Sequence, residues 1–338
     1  MDVPLASAVI ITYNQENFIE QAIECALAQK VDFKYEIVIG EDCSTDNTRE
    51  LCYRYQRMHP EIIRVIISGR NVGLLENYYR TVKAARGKYV AGCGGDDYWH
   101  SPKKLQKQVE FLENNPEYGM VHSEVDWLIQ KKGRIIKNYH LSQGYYYDNK
   151  AKETLERIVS MQYIITASTA TFRKRMFDKY FNFEELKRNG FMSEDTPLFA
   201  GIAAYSKIHY ISESLATYRE LDESVSNSKN IPKFLRFWKS HSEMQLNLCD
   251  KYNLSEDVRN KIEMVWFDKT LQLAFYERNS KMALEVKKKK QKFTWKEWLR
   301  YFGAKHFTIH YGCRLAIFLL NLFKKQQDPL SQDLHHRT

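Results

Sequence analysis

The sequence predicts an α/β protein with a mostly parallel, Rossmann-like sheet and a helical C-terminal extension. Three observations carry this. Short apolar runs alternate with segments of helical period over the first hundred residues. Each of these runs feeds a loop of polar or small residues, the pattern of βαβ units. From about residue 230 the pattern turns helical and then lysine-rich.

The elements follow in order. Ala8-Val9-Ile10-Ile11 is a continuous apolar run that leads into Thr12-Tyr13-Asn14, as a buried strand feeding a loop does. Phe18, Ile19, Ala22, Ile23, Ala26 and Leu27 share one helix face. Tyr35 to Ile39 is a second strand ending at Gly40-Glu41-Asp42, and Leu51, Cys52, Tyr55 and Met58 mark the next helix. Ile62 to Ile67, then a helix through Leu74, Leu75, Tyr78, Tyr79 and Val82, then Lys88 to Gly92 continue the alternation. Ser101 and Pro102 predict a helix start, as N-cap and first helical residue. Residues 119–147 read as β-rich, with a turn at Lys131-Lys132-Gly133 and tyrosines at 145–147 that suit a half-buried sheet surface. Ile164 to Thr171 reads as a hydroxyl-rich strand, Phe191 to Phe199 as a helix start carrying Glu194-Asp195, and Lys207 to Ile211 as a strand. Helices are expected at Phe234–Cys249 and Asp257–Phe275.

The chemistry concentrates at Gly94-Gly95-Asp96-Asp97. Two adjacent carboxylates after a strand repel each other unless a proton or cation lies between them. A divalent metal carrying substrate phosphates answers that need; a polar turn near a helix N-terminus is the structural alternative. In a parallel sheet the segments after the strands, Thr12-Tyr13-Asn14, Glu41-Asp42 and Gly94 to Asp97, emerge at one edge. Asp42 is suited to accept a hydrogen bond from a nucleotide base or ribose, and Asp195, at a loop–helix junction, to take a proton from an acceptor hydroxyl.

Composition narrows the class. Of 338 residues, 43% are apolar and 28% charged, as in an ordinary globular protein. Residues 281–338 hold 13 Lys and Arg against 4 Asp and Glu, which accounts for the whole net charge of +9. Basic residues mixed with Trp, Phe and Leu there suit a segment lying on an anionic membrane; a helical cap with a solvated lysine face is the alternative. No nucleic-acid motif accompanies the charge, and none of that partner class is expected. The six cysteines form no CxxC pair, and the N-terminal run has no basic leader, so a reduced, cytoplasmic chain is expected. No stretch offers the roughly 18 apolar residues of a membrane span. The absence of GxGxxG and of GxxxxGK[ST] speaks against a dinucleotide dehydrogenase and a P-loop nucleotidase.

Taken together, Val9 to Asn14, Glu36 to Thr48, Asn71-Val72-Gly73, Gly87-Lys88-Tyr89, Gly95 to Trp99 and Glu194-Asp195 closely resemble the family 2 glycosyltransferases in order and spacing, over roughly residues 5–225. The resemblance implies the GT-A fold, a nucleotide-sugar donor, a divalent Mg²⁺ or Mn²⁺ and inversion at the anomeric carbon. It implies nucleotide-sugar contacts at Thr12, Tyr13, Asn14, Glu41, Asp42, Asn71, Gly73 and Asp96, metal contacts at Asp97 and Asp96, and Asp195 as the general base. Thr169, Glu194 and Arg219 fall in its acceptor-side segments. Gly94 stands where the family often has an acid, which leaves Asp97 as the main expected metal contact.

The expectation is a catalytic domain at 1–226 and a helical, basic region at 227–338, with membrane contact through 287–325 from the inner face. The expected reaction is transfer of a hexosyl or N-acetylhexosaminyl group, from a UDP-sugar, to a hydroxyl of a glycan or lipid-linked acceptor in bacterial surface polysaccharide synthesis. A nucleotidyltransferase of related fold and a non-catalytic carbohydrate-binding or membrane-scaffold protein are the alternatives. Against the first stands the lack of a basic, glycine-rich loop after the first strand; against the second, the presence of both acid stations.

Overall fold

Ala6–Thr12 (β1) is buried on both faces along nearly its whole length, and it is the middle of the parallel half of the sheet. The structure is a computed structural model that describes residues 3–145, 147, 151–222, 228–290, 292–306 and 312. The chain then runs through α1 (Ile19–Leu27), β2 (Tyr35–Glu41), α2 (Thr48–Met58), β3 (Ile63–Ile67), α3 (Leu74–Ala84), β4 (Tyr89–Gly94) and α4 (Lys104–Asn114). After these come β5 (Tyr118–Ile129), β6 (Arg134–Ile136), α5 (Tyr139–Ser142), α6 (Ala151–Val159), β7 (Thr171–Arg173), α7 (Lys174–Tyr180), α8 (Phe183–Arg188), α9 (Asp195–Tyr205) and β8 (Lys207–Glu220). Four helices close the described chain: α10 (Ile231–Tyr252), α11 (Glu256–Glu277), α12 (Ser280–Lys289) and α13 (Trp295–Lys305). The chain divides into two units, residues 1–224 with 243–259, and 225–242 with 260–338.

The sheet order is β3-β2-β1-β4-β7-β5-β6, with β8 paired to β5. β1 is parallel to both β2 and β4, with Thr12 opposite Glu41 and Ile11 opposite Gly94. The three strand-end loops therefore leave at one edge, as the alternation predicts. β7 is antiparallel to β4 and to β5, so β5 and β8 again run in the direction of β4. Tyr98 pairs with Thr217, which brings the end of β8 beside the loop after β4. Ile10, Ile23, Ile37, Ile39, Tyr89 and Leu105 are fully buried between sheet and helices, so the edge rests on a packed base.

Three local expectations fail for tertiary reasons. The helix after Asp97 starts at Lys104, not Ser101: the Ser101 N–H donates to Leu215 O and its carbonyl accepts from Gln29, which holds it in the preceding turn. Residues 164–171 are not a strand. They carry a 3₁₀ turn at Ala167–Thr169, and only Thr171–Arg173 pairs with the sheet. The β-rich reading of 119–147 holds to Ile136, beyond which α5 intervenes; Tyr147 packs among His122, Tyr163 and Tyr210, and Tyr146 lies outside the described residues.

Gly95 sits where no side chain fits. A Cβ there would lie 2.8 Å from both Cβ and Oγ1 of Thr12. Gly95→Ala is expected to destabilise by about 1–3 kcal/mol through overpacking, read in denaturant melts.

Candidate functional site

The first two strand-end loops are knitted together. Asn14, in the left-handed region at φ 51°, donates its N–H to Ser44 Oγ (3.0 Å) and accepts from Thr45 N (2.8 Å). The Gln15 N–H reaches Thr48 Oγ1, and the Glu16 N–H and carboxylate engage Asp46 and Asn47. Tyr13 is left exposed at the rim, while Thr12 is buried beneath it.

Asp42 is buried and ties this pair to a third loop: its two oxygens accept from the N–H groups of Val72 and Gly73, both at 2.9 Å. Gly73, at φ 86°, takes a conformation that L side chains rarely adopt, and the exposed Asn71 stands just before it. Glu41 is fully buried, and both of its oxygens are used internally, by Ser44 N–H and by Arg49. It holds the loop through these two contacts.

The Asp96–Asp97 pair is the electrostatic centre. Asp97 Oδ1 accepts from the Arg219 N–H at 2.9 Å and Oδ2 accepts from Ser168 Oγ. Burial, and then the charge of Asp96, push the Asp97 carboxyl well above its usual range; burial also raises Asp96. Among the described residues, Thr12 Oγ1 and Gln15 Oε1 are buried without a hydrogen-bond partner, and both flank Gly95 beside this pair. Hard oxygen donors, two adjacent buried carboxylates that repel each other and two unpartnered oxygens fit a Mg²⁺- or Mn²⁺-bound diphosphate. No group of three or more His, Cys, Asp or Glu among the described residues forms a metal cage by itself, so such an ion would complete its shell with substrate oxygens. A Cβ at Gly94 would lie 2.8 Å from Asp96 Oδ1 and 3.3 Å from Asp97 Oδ2. The pair itself fills the space that an acid at 94 would need.

Arg219 differs from its expected acceptor-side place. Its guanidinium lies 4.8 Å from the Phe18 ring centre and donates to Asp96 O (2.7 Å), Gln21 Oε1 (2.6 Å) and Gln130. All of these partners are internal, so it clamps the acid turn. Thr169 is likewise turned away: it is fully buried, with its hydroxyl on Thr166 O. Its neighbour Ser168 is the residue that reaches Asp97, and a hydroxyl-rich run read as strand concealed it.

Asp195 opens α9. The helix passes into β8 through Ser206 alone and packs against that strand. Asp195 Oδ1 accepts from Ser193 Oγ (2.8 Å) and from the Thr196 N–H (2.6 Å). Glu194 is half-buried; desolvation and the Asp195 charge push its carboxyl up to about 8, so it holds a proton at neutral pH. Burial first, then Glu194 and Asp195, raise Tyr78 of α3, which sets these acids near the helix that Asp42 anchors.

Beneath the acids lies a residue that sequence reasoning did not single out. Lys104 is fully buried; its Nζ donates to Gln108 Oε1 at 2.8 Å and sits 4.3 Å from the Trp99 ring centre. Trp99 Nε1 and Gln108 Nε2 in turn hold the carbonyls of Ser168 and Thr169. Burial lowers the Lys104 amine to about 7. The unfolded chain therefore binds the extra proton between pH 7 and the ordinary lysine value, and stability from this group rises with pH across that window. Lys104→Met is expected to be more stable relative to wild type at pH 6 than at pH 10, by on the order of 2 kcal/mol, read in melts at the two pH values.

Comparison with known proteins follows the same lines. The sequence model of "Glycosyl transferase family 2" matches residues 7–181. Protein Rv1520 of Mycobacterium tuberculosis is 29% identical over 234 residues, 69% of this chain; the match spans 64% of that protein's length, just under two thirds. TuaG of Bacillus subtilis, named for a glycosyltransferase role in teichuronic acid biosynthesis, is 27% identical over 67% of this chain and 83% of its own. Among solved structures, S. aureus TarS 1-349 in complex with UDP-GlcNAc superposes with a TM-score of 0.55 at 18% identity, over 88% of this chain and 79% of that one. The mannosyltransferase PcManGT of Pyrobaculum calidifontis, in complex with GDP-Man and Mn²⁺, gives 0.53 at 14% identity, over 93% and 88%. Likeness at this identity is a likeness of fold.

Proposed function

This chain belongs to glycosyl transferase family 2, and from that premise we propose that it moves a sugar, with inversion, from a UDP-sugar to a hydroxyl of a glycan or lipid-linked acceptor. The observation that supports the reading most is a buried, mutually repelling carboxylate pair at the strand-end edge, with a further acid, Asp195, at a helix start near the helix that Asp42 anchors. The UDP-GlcNAc complex of TarS and the role named for TuaG support the donor class and a surface-polysaccharide setting.

In this reading the nucleotide lies across the knitted loops, with Thr12, Tyr13 and Asn14 on one side and Asn71 and Gly73 on the other. Asp42 and Glu41 shape those loops; Asp42 also offers its remaining lone pairs to the base. Asp97 and Asp96 would hold a Mg²⁺ or Mn²⁺ ion, which supplies the charge that a departing diphosphate needs. Arg219 and Ser168 keep the two carboxylates aimed. Oδ2 of Asp195, without a hydrogen-bond partner among the described residues, takes the proton of the acceptor hydroxyl as that hydroxyl's oxygen bonds to C1 and the bond from C1 to the diphosphate breaks. Glu194, holding its proton, stands beside Asp195 as a neutral neighbour. The acceptor enters from the Glu194 side, at the inner face of the cell membrane, with the basic C-terminal region as the contact.

A thermal-shift screen of nucleotide-sugars with and without Mn²⁺ tests this. Stabilisation by UDP-sugars only when metal is present is the expected result. Indifference to every nucleotide would overturn it, and stabilisation by GDP-sugars alone would overturn the donor assignment.

A further inference from the structure

The second unit carries a surface that the transfer chemistry does not use. α13 begins at a capping box in which Glu297 N donates to Thr294 Oγ1 (3.3 Å) and Thr294 N to Glu297 Oε2 (2.7 Å), so its register is fixed. Tyr301, Ala304 and Glu297 face inward and are buried. On the opposite side Trp295, Leu299 and Phe302 are 61%, 38% and 40% exposed. Their spacing of four and three residues makes them one stripe. Trp298 extends it, its ring stacked on Phe302 at 5.3 Å.

Charge frames the stripe. At 100° per residue Lys296 and Lys305 fall on its two flanks. Lys288 and Lys292 are exposed and make no ion pair among the described residues. Residues 281–306 hold nine Lys and Arg against two Glu. Two such faces brought together would set like charges side by side, which disfavours a second copy as the occupant. A phosphate backbone would use the lysines but leave Leu299 and Phe302 in water. An anionic bilayer takes both, with lysines among the headgroups, Trp295 at the interface, and Leu299 and Phe302 at the acyl boundary. Among the described residues no helix is long and apolar enough to cross a membrane, and an amphipathic helix of 11 residues suits the interface plane.

We propose that the Trp295–Leu299–Phe302 stripe of α13 and its flanking lysines dock the chain on an anionic lipid surface. This deepens the membrane-side reading given above, and the two fail separately.

The test is flotation of the full chain with phosphatidylcholine vesicles, with and without phosphatidylglycerol. Binding only to the anionic vesicles is expected, weakening as salt shortens the screening length. Trp295→Ser with Phe302→Ser should lower partitioning at least about 10-fold, and Lys296→Glu with Lys305→Glu should act similarly. Both variants should keep wild-type circular dichroism and donor-induced thermal shifts, which separates lost docking from lost folding. Absence of flotation by the wild-type chain would overturn the proposal, as would undiminished flotation of the stripe variant. A concentration-dependent dimer abolished by Phe302→Ser would assign the stripe to a second copy and overturn it too. A chain that floats but shows no metal-dependent response to nucleotide-sugars would instead count against the transferase reading.

Discussion

Asp195→Asn is expected to lower the transfer rate about 10²–10⁴-fold while leaving donor affinity near wild type. The carboxylate's Oδ1 is committed to Ser193 and Thr196 at the start of α9, bonds that an asparagine oxygen can also accept. What the variant loses is the second oxygen, which among the described residues has no hydrogen-bond partner and is the atom to which the proposed mechanism assigns the proton. Folding should survive for the same reason. The measurement is a single-turnover assay of transfer beside a nucleotide-sugar titration. Near wild-type transfer with intact binding would remove Asp195 from the base role. An equal loss of binding and rate would mean that it acts on the donor.

Asp97→Asn should separate function from stability in opposite directions. Its Oδ1 would keep the Arg219 N–H and its amide would donate to Ser168 Oγ, so the turn should persist. One of two buried, mutually repelling charges is gone, and the variant without ligand should be at least as stable as wild type. The carboxylate that would hold the ion is gone too, and metal-dependent transfer should drop about 10²–10³-fold. Mn²⁺ titrations followed by thermal shift, with melts of the metal-free protein, read both effects. Retention of Mn²⁺-dependent donor binding would show that Asp97 is not the metal contact.

The parallel half of the fold was legible because its code is local. Apolar runs at Ala8–Ile11, Tyr35–Ile39 and Lys88–Gly92 alternate with helix-period segments, and parallel pairing then dictates which loops meet. The second half depends on contacts that composition does not reveal. Ile164–Thr171 has the apolar and hydroxyl content of a strand, but Trp99 and Gln108, far away in sequence, hold its carbonyls and bend it into a turn. Lys104, next to Lys103 at a helix start, looks like one more solvated lysine; only the packing of Trp99 over it shows otherwise. Arg219 was legible as important but not as internal, since its partners Gln21 and Gln130 come from distant elements. For Glu41, an acid at a strand end is common to ligand contacts and loop braces alike, and Arg49 decides between them.

The pairing of α9 with β8 bears on how such a chain can change over time. The residue proposed as proton acceptor heads the helix, and the strand that follows returns to the acid pair through the Arg219 N–H. Both ends of that helix–strand arm carry residues of the proposed site, while the arm between them is regular structure joined at Ser206 alone. In the proposed reading, lineages can therefore vary loops outside this arm, and with them the choice of acceptor, without altering the spacing between base and acid pair. Insertions within 195–219 would shift that spacing and should be the rarest changes among descendants that keep the activity.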